Sequence, residues 1–275
     1  MASIEKGTFL LFASNFVFFL ASFLMYFFLG RFLLSPAQFG VFAVVVSIVS
    51  IIISAFTSTL QQTIAKFVSE NPESGFFIRR KLLFCQFLIG LVIAAAYFFS
   101  ADLIALALND LSLAPFLRLS SALLLFHPLL GVFQGIMNGR HEFSKLAFFS
   151  IFYYALKLAA ILLLVVAGFE VFGAVLGFVI SSILAVIAGF FITIVPKKEA
   201  ASSLRRIFYF AWPLLFFAFA IALFQTLDLL AVKALSPLDS DVLAGIYGIS
   251  SMIAKLPAGL LAAVSTVALP LISGS

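Results

Sequence analysis

Three charged residues interrupt stretches that are otherwise apolar: Lys157, Asp228 and Lys255. A charge at the centre of an apolar layer costs ~2.5–3.5 kcal/mol even on a lenient insertion scale, so each of the three needs a partner or a ligand. Lys157 stands about 12 residues into its run, near mid-depth at ~1.5 Å per residue. As a compact point charge, a lysine suits an anion that must be bound and then released; snorkelling or structural pairing is the alternative. Asp228 and Lys255 fall on the two arms of a hairpin. Folding it about Asp239 sets Asp228 level with Ser250 and Lys255 one to two turns deeper, a gap of ~7.5 Å that the lysine stem largely bridges. A buried Asp228–Lys255 ion pair is therefore expected. The sharper reading makes Asp228 a site for Na⁺ or H⁺, with Lys255 its competitor or a second anchor for the anion.

Uncharged polar groups supply the rest of the chemistry. Asn15, Gln61, Gln62, Gln134 and Gln225 lie inside or at the ends of apolar runs. They bond between helices at ~0.6 kcal/mol each or line a polar cavity, and Asn15 and Gln61 are assigned to the binding wall. His127, beside Pro128, reads first as a packed core residue and second as a proton relay. Covalent chemistry finds no support. One cysteine, Cys85, excludes an internal disulfide, and His127 and His141 are too few for a zinc cluster. No phosphate-binding glycine loop occurs, and Asp239 with Asp241 is a poor metal motif. The chain is thus read as a non-enzyme without a cofactor, a coupling ion apart.

The elements that hold these residues are apolar helices. Hydrophobic residues make up 64% of the chain and charged ones 10%, against about 45–50% and about 25% in soluble domains. About eight runs reach the ~20 residues of a membrane span: 8–30, 38–66, 80–99, 116–138, 146–167, 171–195, 207–234 and 243–272. Unbroken runs such as VFAVVVSIVSIIISAF (41–56) exclude the period-2 pattern of a barrel. The fold class is an all-α polytopic transmembrane bundle. Gly131, Gly135 and Gly139, like Gly173 and Gly177, form stripes on which another helix packs closely. With the N-terminus in the cytoplasm, Lys6, Lys66, Arg79, Arg80, Lys81, Arg140, Lys145, Lys197, Lys198, Arg205 and Arg206 fall inside, which is 11 of the 16 basic residues. A cytoplasmic membrane protein results, and its basic pI follows from topology and anionic lipid rather than nucleic acid.

The chain also repeats itself. Leu34-Ser35-Pro36 returns as Leu235-Ser236-Pro237, and Gly40-Val41-Phe42 as Gly245-Ile246-Tyr247. Run seven then corresponds to run one and run eight to run two. This gives a six-helix lobe over 1–196, a basic linker over 197–206, and the first two helices of a second, similar lobe over 207–275.

Three segments, LSPAQFGVFAVVVSIVSIIIS (34–54), FQGIMNGRHEFSKLAF (133–148) and LDLLAVKALSPLDSDVLAGIYGISSMIAKLPAGLLAAVSTVALPLIS (227–273), resemble the polysaccharide-transporter branch of the multidrug/oligosaccharidyl-lipid/polysaccharide (MOP) exporter superfamily. Lipid II flippases and multidrug extruders are relatives. The resemblance covers essentially the whole chain, through soft Gly, Pro and apolar motifs. It implies two lobes around a central cavity that opens to either side in turn, and a polyprenyl-pyrophosphate-linked oligosaccharide as substrate, flipped for cell-envelope polysaccharide synthesis. Lys157 then meets the pyrophosphate. A multidrug exporter of organic cations and a lipid II-type flippase are the alternatives; the absence of Asp or Glu at depth in the first six runs favours an anion. Such families carry 12 to 14 helices, so the chain is expected to be a piece of a longer protein or to need a partner for the missing half.

Overall fold

The computed structural model describes residues 2–196, 203–236, 239–251, 253 and 254. Helix α1 (Ala2–Phe28) continues through a wider π turn, Leu29–Leu33. Ser35 then starts α2 (Pro36–Glu70). Its hydroxyl accepts from the Gln38 amide while Gln38 returns a bond to the Ser35 amide, and Pro36 occupies the first turn, where no donor is lost. Next come α3 (Gly75–Phe99), the short α4 (Ala101–Ala107), α5 (Ala114–Gly139), α6 (Phe143–Leu164), α7 (Glu170–Ile192), α8 (Leu204–Phe224) and α9 (Leu227–Leu235). A further helix, here α10, covers 240–251 and returns at 253 and 254.

Six helical stretches are long and apolar enough to cross a membrane. The longest, Phe143–Ile192, holds two crossings, because the chain turns back where Gly168 has φ 92° and Glu170 φ 47°. Gly173 then lies against Leu164 and Gly177 against Ile161, as antiparallel arms require. No strand occurs among the described residues. The chain forms an all-α, multi-pass membrane bundle.

Two ends can be told apart. Arg79, Arg80, Lys81, Arg140, Lys145, Arg205 and Arg206 gather where α2, α5 and α7 end and α3, α6 and α8 begin; this is the basic end. There Arg79 donates to the Thr193 carbonyl and Arg206 approaches Glu70 at 3.6 Å. The opposite end, the loop end, carries α4, the turns at 34–35, 108–113 and 168–169, and residues 236 and 239.

Helix α2 is the axis of the molecule. It packs on α5, α7, α8 and α9, and its 35 residues reach ~52 Å, well beyond a ~30 Å hydrocarbon core. The Gly131, Gly135 and Gly139 stripe explains its closest contact: a Cβ on these residues would crowd Thr57, Ile64 and Val68 of α2. Pro128 leaves α5 unbroken, and the Leu124 carbonyl that loses its donor lies beside Gly90 of α3.

The seventh run, expected as one helix over 207–234, is interrupted. Gln225 and Thr226 form a turn that separates α8 from α9. The Thr226 hydroxyl donates back to the Ala222 carbonyl at 2.6 Å, and Asp228 accepts from the Leu229 amide, so local side-chain bonds replace helix bonds here. Residues 197–202 of the expected linker lie outside the described set; Ser203 caps the start of α8.

Candidate functional site

A cavity of about 490 Å³ is lined by residues of both the α1–α7 bundle and the segment 225–251. Phe18, Phe23 and Tyr26 of α1 line one side, and Ser47, Ser50 and Ser54 of α2 form a hydroxyl track beside them. Wall residues on the far side include Gln225, Thr226, Asp228, Gly248 and Ser251. Such a surface has aromatic faces, hydroxyls and few charges, which suits a large amphipathic ligand better than a small ion alone.

Lys157 of α6 and His127 of α5 meet in the wall made by the first seven helices. The Lys157 ammonium sits 5.0 Å from the centre of the Phe178 ring and 5.8 Å from that of Tyr153. Two ring faces hold the cation, and no described carboxylate pairs with it. His127 is fixed by Thr57, whose hydroxyl lies 3.1 Å from Nδ1, and by edge contacts with Tyr153 and Phe178. The histidine is thus packed and hydrogen-bonded, yet still on the cavity wall.

Across the cavity, Asp228 accepts a hydrogen bond of 2.8 Å from the Tyr247 hydroxyl. Its expected partner, Lys255, lies outside the described residues. The observed partner, Tyr247, lies one helical turn from the expected register at Ser250. Lys157 and Asp228 are the only formally charged side chains among the described lining residues. Asn15 and Gln61 are not among those lining residues. Gln61 instead lies where α2 meets Gly135 of α5, about two turns beyond Ser54.

The family model for polysaccharide biosynthesis proteins matches residues 4–275. The chain belongs to the polysaccharide biosynthesis protein family. A search of curated proteins gives no match. Among solved structures, a MOP superfamily transporter from Pyrococcus furiosus, described as having a binding pocket of reverse polarity, superposes with a TM-score of 0.68 at 14% identity, over 95% of this chain and 65% of that one. A multidrug resistance MATE family transporter in its outward-facing conformation gives the same four figures, 0.68, 14%, 95% and 65%. A MATE protein in complex with Br-NRF gives 0.63 at 15% identity, over 95% of this chain and 71% of that one. These likenesses show a MOP-transporter fold, and this family member spans about two thirds of the length of the structures it matches.

One charged cluster of this polysaccharide biosynthesis family member escapes a reading by depth. Lys233 reads as an outer-side basic residue, yet its side chain is 0% exposed. It donates to Asp110 at 2.6 Å, to Asp241 at 2.5 Å and to Ser240 at 3.2 Å. Asp110 lies 123 residues away in sequence, so no local pattern announces the pair. Burial pushes the Asp110 carboxyl up, but bonds from Lys233 and Ser112 outweigh it and hold its pKa below the ordinary carboxylate value. Asp241 is thereby accounted for as an ion-pair partner rather than a metal ligand, and no cluster fit to hold a metal occurs among the described residues.

Proposed function

We propose that the chain is a secondary transporter that flips an anionic polyprenyl-pyrophosphate-linked oligosaccharide across the cytoplasmic membrane, by alternating access between two lobes. The six long helices of 1–196 form one lobe, and the segment from 207 opens the second. The observation that carries this reading is Lys157: a cavity cation, held over two ring faces and unpaired by any described carboxylate. Family membership supports the substrate class. Serine hydroxyls on α2 match the hydrogen-bonding demand of a glycan, and the aromatic wall matches its sugar rings and lipid. Asp228 takes up Na⁺ or H⁺ and couples it to the movement. The N-terminus and the basic end face the cytoplasm.

A second reading is a multidrug exporter, favoured by Asp228, a carboxylate facing the cavity, and by the multidrug MATE transporter of similar fold. One experiment separates the two. The chain in lipid vesicles is given a fluorescent polyprenyl-pyrophosphate disaccharide, and in parallel a fluorescent organic cation. The first reading expects flipping of the glycan lipid and its loss in Lys157→Ala at unchanged protein level. Movement of the cation alone, or glycan flipping unaffected by Lys157→Ala, would overturn it.

A further inference from the structure

Lys233 is a buried ammonium at the loop end whose carboxylate partners come from both sides of the cavity. Asp241 and Ser240 belong to α10, the next helix after α9, so those bonds tie the start of α10 to the end of α9. Asp110 differs, because it belongs to the connection between α4 and α5 of the α1–α7 bundle. The adjoining Asn109 stands at φ 56° and donates from Nδ2 to the Ala234 carbonyl at 3.1 Å, a second bond across the same joint. Asp110 is itself braced: Oδ1 accepts from the Ser112 amide at 2.9 Å and the Ser112 hydroxyl at 2.6 Å, which leaves Oδ2 for Lys233.

Backbone contact beside this cluster is equally intimate and is reciprocal. A Cβ on Gly40 of α2 would overlap the Asp241 carbonyl, and one on Gly245 of α10 would overlap the Pro36 carbonyl. Asp241 follows Pro36, and Gly245 follows Gly40, by the same 205 residues. Repeated positions of the sequence therefore meet face to face, and a local two-fold axis passes between Gly40 and Gly245. Pairing about an axis closes the wall between α2 and α10 at this end. At the basic end the corresponding ion pair, Arg206 with Glu70, is open to solvent at 3.6 Å, with the two side chains 69% and 42% exposed.

From this asymmetry we propose that Asp110 and Lys233 form a latch that shuts the loop end of the cavity, and that the latch must part for that end to open. Separation would leave Lys233 with Asp241 and Ser240, and Asp110 with Ser112, so each half retains polar partners in the open state. A break at this joint is thus reversible in a way that an uncompensated buried charge is not. The inference deepens the transport reading by naming the contact that governs one of its two states.

Distances across the joint test it without substrate. Leu106 of α4 and Leu235 of α9 are exposed on opposite sides and accept nitroxide labels as Leu106→Cys and Leu235→Cys, in a Cys85→Ser chain held in lipid nanodiscs. Pulsed electron resonance is expected to show one dominant short distance in the parent. Asp110→Asn keeps the side chain's shape and its bonds from Ser112 but loses the charge, and should raise the long-distance population at least fivefold; Lys233→Gln should do the same. Asp102→Asn removes an ion pair at the same end but within the first bundle, and should leave the distribution alone. Unchanged distances in Asp110→Asn would overturn the latch, as would an equal shift in Asp102→Asn. Failure in either way leaves the vesicle assay of glycan flipping untouched, so the two readings fall separately.

Discussion

Lys157, Asp228 and Lys233 are three charges in apolar surroundings, and the structure treats each differently. Lys157 is held by ring faces, which stabilise a cation by ~0.5–2 kcal/mol without neutralising it, so its charge stays available to a ligand. A hydrogen bond to a charged group contributes about 1.5–3 kcal/mol. Replacing Lys157 by alanine should therefore weaken binding of a pyrophosphate lipid roughly 10- to 100-fold, measured by titration in vesicles. Asp228→Asn keeps the bond from Tyr247 and loses the charge; transport by this variant should lose its dependence on Na⁺ or proton gradients, and retained dependence would remove coupling through this residue. Asp110 supplies a pH prediction. Its folded pKa is depressed, so its contribution is present above the unfolded value of about 3.9 and lost only as pH falls through the lower folded value. Facing groups are Lys233 and Ser112, with Asp241 sharing the Lys233 ammonium. Distances across the latch should hold from pH 8 to about pH 5 and lengthen only below about pH 4. Depth in a hydrophobic run made Lys157 legible from sequence. Lys233 was not legible in that way, because its burial depends on Asp110, 123 residues earlier, and proximity of that kind has no local signature.

At the scale of elements, the glycine stripes decide how tightly the helices approach. A Cβ on Gly135 would lie 2.7 Å from the Ile64 Cβ and 2.9 Å from the Gln61 carbonyl, and backbone cannot yield as a side-chain tip can. Gly135→Leu should cost at least ~1–3 kcal/mol, seen as a lower midpoint of thermal unfolding in detergent. Gly168→Ala is a useful contrast: no neighbour lies within 4 Å, yet φ 92° penalises any side chain, so its cost is purely one of backbone strain. The long apolar helices and the packing role of these stripes could be read from hydropathy and small-residue spacing. The break between α8 and α9 could not. Gln225, Thr226 and Asp228 were visible as polar residues, but hydropathy averages over a window longer than the two-residue turn they create. That turn matters to the site, since Gln225 and Thr226 themselves join Asp228 in lining the cavity.

For the whole molecule, the distribution of charge ties the fold to its placement in a membrane. Helices alternate direction without exception from α1 to α3 and from α5 to α8, so every long helix has one terminus at the basic end and one at the loop end. Arg and Lys concentrate at the first; at the second, Arg118 is paired with Asp102 at 2.6 Å and Lys233 with Asp110 and Asp241, so two of its basic residues are already matched by carboxylates. Net positive charge therefore belongs to one face only. Moving such a face across a bilayer during insertion is unfavourable, and anionic lipid of the inner leaflet attracts it. The same face carries the α2–α8 contact, where Lys66 lies 3.8 Å above the Phe210 ring and Phe67 meets Phe210 edge-on. On the proposed transport reading, with the loop end latched and the basic end cytoplasmic, substrate entry has to part this aromatic and basic seam, whose exposed ion pair adds only ~0–1 kcal/mol. Orientation is open to direct measurement with single cysteines in a Cys85→Ser chain. A cysteine replacing Leu111, exposed at the loop end, should react with a membrane-impermeant maleimide in intact cells. One replacing Ser144, exposed in the first turn of α6 at the basic end, should react only after the membrane is opened. The reverse pattern would place the latch on the cytoplasmic side and invert the direction in which the cavity first opens.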